Sequence, residues 1–123
     1  MDKPHKKLDV WKLSMELSRV VYRLTTGYPS EERFGLVSQM RRAAVSVPSN
    51  IAEGAARDSN NEFRHFLSIA RSSLSELDTQ LDLSQDLGFI TETSKSEIDQ
   101  LLTRIDKMLY ALHQLKKSAA TRV

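Results

Sequence analysis

Apolar residues recur at alternating spacings of three and four along four long segments of the chain, and no stretch keeps the period of two that a strand requires. From about residue 9 to 25 the seam is Val10, Leu13, Leu17, Val20 and Leu24; from about 30 to 56 it is Val37, Met40, Ala44, Val47 and Ile51. From about 59 to 87 it is Phe63, Leu67, Ala70, Leu74, Leu77 and Leu81, and from about 94 to 115 it is Ile98, Leu102, Ile105, Leu109 and Leu112. Each segment predicts an amphipathic helix with one face to bury. Four helices of similar length joined by short loops run antiparallel to their neighbours. The expected fold is therefore all-α: one domain over residues 1–123, an antiparallel up-down-up-down four-helix bundle with flexible tails at both ends.

The helix boundaries carry local signals. Asp9 is a candidate N-cap, and Ser59 with Glu62 and Ser94 with Glu97 have the S-x-x-E spacing of a capping box. Pro48 falls inside the second helical pattern, where it removes a backbone donor and crowds the preceding turn. A kink or break is expected there. Ser49, Asn50 and Glu53 are suited to satisfy the freed backbone groups, with Glu76 as a further member of that network. The other reading of the kink is a binding groove.

Several function classes are excluded or disfavoured. There is no cysteine, hence no disulfide framework and no thiolate nucleophile or ligand. No apolar stretch is long enough to span a membrane, and the charged start from Met1 to Lys7 is not followed by a leader-like apolar stretch, so a cytoplasmic protein without membrane contact is expected. Glu62 and His65 have the E-x-x-H spacing of di-iron bundles, but such sites need two copies and two further inward carboxylates. His5, His65 and His113 all map to one bundle end without a ligand spacing that links them. No phosphate loop, dinucleotide fingerprint or nucleophile elbow occurs. The expectation is no catalytic residue, no metal site and no cofactor.

At 100° steps the first helix shows a second apolar stripe, Trp11, Met15, Ser18 and Tyr22, roughly opposite its seam. Either a neighbouring segment covers it or it is a subunit interface, with Trp11, Met15 and Tyr22 as the contact residues. Phe66, Ile69, Leu83 and Leu87 form a comparable side of the third helix. The net charge is only +2, but the bundle topology segregates it. The chain start, the turn between the second and third helices and the C-terminus meet at one end, which collects Lys3, Lys6, Lys7, Lys12, Arg57, Arg64, Arg71, Lys116, Lys117 and Arg122 and is net positive. The other end, rich in Asp and Glu around Arg23, Arg33 and Lys95, is net negative. Clustered cations are the footprint of polyanion binding, and a solvated charge pattern is the plainer reading. The residues between these cations are mainly Ser, Asn and Leu, so base stacking is expected to be minor.

The run from Phe34 to Gly54 includes Gln39, Arg41, Arg42, Ala43, Ala44, Ser46 and the stretch Pro48-Ser49-Asn50-Ile51-Ala52-Glu53-Gly54. It resembles the signature of the 23S ribosomal RNA intervening-sequence proteins, as do Trp11, Tyr28-Pro29, Glu62-Phe63, Ser73 to Leu77 and Leu87 to Ile90. Met40 and Val47 stand where isoleucine is commoner, and Arg71 is at a variable position. The resemblance implies a bundle assembled as a ring-shaped homopentamer and no known catalytic residues. It also extends to accessory proteins of diversity-generating retroelements, whose basic pentamers contact a reverse transcriptase and nucleic acid. Arg41, Arg42, Ser46, Pro48, Ser49, Asn50, Glu53 and Gly54 carry over as motif positions with structural or binding roles. The expected function is a non-enzymatic ring that binds nucleic acid, RNA in preference to DNA, through Lys6, Lys7, Lys12, Arg57, Arg64, Arg71, Lys116 and Lys117. The alternative is a protein-interaction scaffold for a nucleic-acid enzyme, without direct nucleic-acid binding.

Overall fold

The computed structural model describes residues 1–121, with side chains through Lys117. Four α-helices follow one another, α1 Asp9–Thr25, α2 Leu36–Ala55, α3 Asn60–Asp86 and α4 Glu92–Thr121, and no strand occurs among the described residues. Each helix packs on the next and α4 closes back on α1, while the diagonal pairs make no close backbone approach. Bonds across the helices fix an antiparallel register. Ser18 reaches Ala44 and Arg41 reaches Thr25 between α1 and α2; Ser73 meets Ser46 and Ser84 meets Met40 between α3 and α2. Arg71 meets Asp106 and Lys95 meets Asp82 between α3 and α4. Leu17, Met40, Ile51, Leu67, Leu77, Leu81, Ile105 and Leu109 are fully buried and form the centre of one continuous core.

Several sequence expectations are corrected at the helix ends. The residues before Asp9 are not simply a flexible tail, because Pro4–Lys7 forms a 3-10 turn packed on α1 and α2. Leu8 occupies the N-cap position of α1, so Asp9 is its first residue and not its cap. Residues 30–35 are not the start of α2. They form a 3-10 turn, Ser30–Glu32, and a bend at Gly35, after which a Glu32 carboxylate oxygen accepts the Leu36 N–H at 3.1 Å. The Ser59 hydroxyl caps α3 as expected, accepting the Glu62 N–H at 3.1 Å. On α4 the cap is Thr91, whose hydroxyl accepts the Ser94 N–H at 3.1 Å; the Ser94–Glu97 box does not form the start. α4 also continues past residue 115 to Thr121, and Arg122 lies outside the described residues.

The buried stripe of α1 is rotated from the expected seam. Val10, Ser14, Leu17, Ser18, Val21 and Thr25 are buried, with Leu13, Val20 and Leu24 on one flank and Trp11, Met15 and Tyr22 on the other. Ser18 thus points inward, not outward. Small hydroxyl residues are tolerated on this face because Ser14 and Thr25 donate to carbonyls one turn back, Val10 at 2.7 Å and Val21 at 2.8 Å. Their small volume lets α2 approach closely.

α2 runs through Pro48 without interruption, so the expected break is absent. A proline at 48 has no N–H to give the carbonyl of Ala44, which is fully buried. The Ser18 hydroxyl of α1 lies 3.1 Å from that carbonyl and 3.1 Å from the Ser14 carbonyl of its own helix, so its one proton is shared between the two. The compensation is made from the neighbouring helix and not by Ser49 or Glu53, which are exposed, or by Glu76, which accepts from Gln80 at 3.3 Å. Asn50 instead donates to the Ser46 carbonyl and hydroxyl at 2.8 and 2.9 Å, and Ser73 of α3 donates to the same hydroxyl at 2.8 Å. Ser18→Ala should therefore cost about 1–2 kcal/mol, the penalty of a buried carbonyl left without a donor. In a Pro48→Ala background the restored N–H should cut that cost to below about 0.5 kcal/mol, a coupling that chemical denaturation of the four-member cycle measures.

Candidate nucleic-acid interface

The positive end is built on two helices. On α3, Arg64 and Arg71 are one heptad apart, so they lie on the same stripe about 10 Å apart along the axis. On α4, Tyr110, His113 and Lys117 recur at +3 and +4 and face that stripe. The meeting of the two sets is registered by the His113 imidazole. Partial burial, then the charges of Arg64, Arg71 and Lys117, hold its pKa below the usual 6.5. Three cations thus bear on one ring at the α3–α4 seam.

The other cations have different surroundings. Arg57, in the turn between α2 and α3, bonds Glu53 at 3.2 Å and lies over the Phe66 ring at 4.8 Å. The Lys116 ammonium sits 5.2 Å from the Phe63 ring centre. Lys6 donates to the Met1 carbonyl. Lys6, Lys7 and Lys12 lie on the N-terminal 3-10 turn and the first turn of α1, at the same end of the bundle but on its α1–α2 side. Of the eight sequence-selected cations, Arg64, Arg71 and Lys117 thus share the α3–α4 seam, and the other five lie around it. Aromatic residues are also closer to the cations than the sequence suggested. Arg71 lies 5.3 Å over the ring of Tyr110, which is half exposed.

Carboxylates bound this positive region. Arg71 itself donates to Asp106 at 3.1 Å. A shallow groove of about 770 Å³ between α3 and α4 runs from Arg71, Asp106 and Lys107, which line one part of it, to Asp78, Asp82, Asp99 and Lys95. Lys95, counted with the surface charges from sequence, is buried and bridges Asp82 at 2.7 Å and Asp99 at 2.6 Å. Burial opposes its charge, yet the bonds to Asp82 and Asp99 outweigh this and raise its pKa. Asp78 is pushed up by burial and then by Asp82. Its four carboxylates offset its three cations, so a phosphate is drawn less to this groove than to the Arg64 and Lys117 end of the seam.

The remaining sequence-selected residues are mostly structural in their contacts. Arg41 ties α2 to α1, donating to Thr25 at 3.0 Å and to the Tyr22 carbonyl at 3.3 Å and covering the Tyr22 ring at 4.5 Å. Gly54 is buried where α2 crosses Phe63 and Phe66. Arg42 and Ser49 are exposed. Trp11 is half-buried, with the His5 ring against it at 5.0 Å, and Met15 is half-buried beside it, whereas Tyr22 is exposed. Glu62 and His65 are both exposed, and among the described residues no three His, Asp or Glu side chains are grouped to hold a metal. No helix among them is long and apolar enough to cross a membrane.

Over residues 6–111 the chain matches the family model described as 23S rRNA-intervening sequence protein. The chain belongs to that family. A solved structure from the S23 ribosomal protein family of Bacteroides thetaiotaomicron, a protein of unknown function, is similar at 25% identity with a TM-score of 0.78, covering 85% of this chain and 95% of that one. No curated protein matches. For this intervening-sequence family member, the run from Phe34 to Gly54 is thus mainly a fitting surface between helices. It secures α1 through Arg41 and the Ala44–Ser18 contact, and α3 through Gly54 and through Ser46, which Asn50 bonds from its own helix.

Proposed function

We propose that the protein is a non-catalytic, self-associating bundle, a homopentameric ring in the cytoplasm, that binds nucleic acid electrostatically at its positive end, RNA in preference to DNA. The observation that carries this reading is the α3 stripe of Arg64 and Arg71, one heptad apart, meeting α4 at Tyr110, with His113 and Lys117 on the same α4 stripe. Like charges held together repel one another, and a phosphate backbone relieves that repulsion while releasing its own counterions. Ring symmetry would repeat the seam about an axis and multiply the contacts without any new residue. Arg57 and Lys116 add charge beside the aromatic rings they cover, and Lys6, Lys7 and Lys12 extend the positive rim toward α1.

Fluorescence anisotropy with a labelled single-stranded RNA, a DNA of the same sequence and heparin tests the reading. At 50 mM salt all three should bind, and affinity for RNA should fall by about 300-fold by 200 mM if six or so single-strand phosphates are contacted across the ring. Failure to bind any polyanion at low salt would overturn the nucleic-acid reading in favour of a protein-interaction scaffold for a nucleic-acid enzyme.

A further inference from the structure

The bundle leaves two apolar patches in water, and their rims carry opposite charge. One is on the outer face of α1–α2, a depression of about 650 Å³ where Tyr22, Phe34 and Val45 are exposed beside Arg33 and Arg42. Phe34 is 88% exposed, with only the Arg33 guanidinium over its ring at 5.4 Å. The other is at the C-terminal end of α3, where Leu83 and Leu87 are 47% and 53% exposed on either side of Asp86. Among the described residues, neither Arg42 nor Asp86 has an ion-pair partner within the subunit. Unpaired opposite charges beside exposed leucine and phenylalanine are complementary in both respects.

We propose that these patches dock on each other between copies of this chain, the arginine-rimmed face of one subunit covering Leu83 and Leu87 of the next. The inference rests on the self-association part of the reading above and assigns its contact surfaces. Two further observations favour a second copy as the occupant. The patches are level: Phe34 lies just before α2 begins, Leu87 just after α3 ends, and Ser84 touches Met40 at 3.6 Å between them. A rotation about an axis along the bundle therefore brings one opposite the other. The patches also lie on adjacent sides of the bundle. On α2, Arg41 points to α1 and Ser46 to α3, which leaves Val45 outward on the α1 side. On α3, Ser73 and Ser84 point to α2 and Arg71 and Asp82 to α4, which leaves Leu83 and Leu87 outward on the α2 side. A heterologous contact between adjacent sides turns each copy relative to the last, and such a contact closes as a ring where opposite sides would extend as a filament. Of the expected contact residues, only Tyr22 belongs to this surface; Trp11 and Met15 sit on its flank, half-covered within the subunit.

The test uses two full-length variants, Phe34→Glu/Arg42→Glu and Leu83→Arg/Asp86→Arg, each altering exposed residues so that helical content and melting should be retained. Light scattering after gel filtration should show a multimer for the wild type and monomers for both variants, a weakening of roughly a hundredfold or more in subunit affinity. Mixed in equal amounts, the variants should reassociate, because the intact patches pair and the reversed charges at 34 and 42 of one attract those at 83 and 86 of the other. Folded variants that stay multimeric would overturn this surface assignment and leave self-association standing. A wild type that is monomeric at tens of micromolar would overturn both, without bearing on polyanion binding by the single subunit.

Discussion

Gly54→Val is expected to be the most damaging single substitution in the bundle, lowering stability by more than about 3 kcal/mol, at the upper limit for overpacking a close-packed interior. A Cβ at this position would lie 2.8 Å from a Phe63 ring carbon, 2.9 Å from the Phe66 Cβ and 3.2 Å from the Phe63 carbonyl oxygen. Two of those three atoms belong to α3's own framework, so relief requires the helices to separate and not merely a side chain to turn. Gly54→Ala gains about 1 kcal/mol of helix propensity and should still lose about 1–2 kcal/mol net, because the same Cβ is present. Separation at this point would also loosen Phe63 and Phe66, on which Lys116 and Arg57 rest. Urea unfolding should show a falling midpoint from wild type to alanine to valine. Equal stability of wild type and Gly54→Val would contradict the close α2–α3 approach.

The second large effect is on binding. Arg64→Gln with Arg71→Gln should weaken RNA affinity by about 10- to 100-fold at low salt and reduce the salt slope by roughly 1.4 per subunit engaged, since each lost single-strand phosphate contact removes about 0.7. Glutamine is preferred to glutamate here because Arg71 bonds Asp106, and a carboxylate at 71 would oppose it at short range. All sequences should be affected alike, as expected for contacts to the backbone and not to base edges. Arg23→Gln, at the negative end, should change neither quantity. Identical behaviour of the two variants would detach binding from the α3–α4 seam.

The periodic leucines made the four helices and their burial legible, because a repeat of three and four has few other uses over twenty residues. The exact face of α1 was not legible. Ser14, Ser18 and Thr25 read as polar, but the Ser14 and Thr25 hydroxyls are spent on carbonyls of α1 itself and that of Ser18 is shared between Ser14 and Ala44, so all three can be buried. Pro48 correctly marked a missing donor, but its substitute lies 30 residues earlier on another helix, beyond any local pattern. Lys95 read as one more surface cation because its two carboxylates come from different turns and different helices. At the candidate interface, the heptad spacing of Arg57, Arg64 and Arg71 exposed the stripe. It could not show that Arg57 is pinned to Glu53 and Phe66 while Arg64 and Arg71 face His113. The expectation of minor base stacking is weakened by Tyr110, whose half-exposed ring lies under Arg71.

Phosphates bound on the Arg64, Arg71 and Lys117 side chains would lie around His113, and the protonation of His113 would report on that contact directly. In the free protein its pKa lies below the usual 6.5, so the neutral ring is favoured in the fold and stability falls as pH drops through 6.5 toward that lower value. Bound phosphate should offset the neighbouring cations and raise the His113 pKa, so RNA affinity should increase as pH falls through the same window. An NMR titration of the His113 ring protons, free and with saturating RNA, measures both states. A pKa that moves upward on binding, with a matching pH dependence of affinity that His113→Gln abolishes, is the predicted result; a His113 titration unchanged by bound RNA would contradict the account.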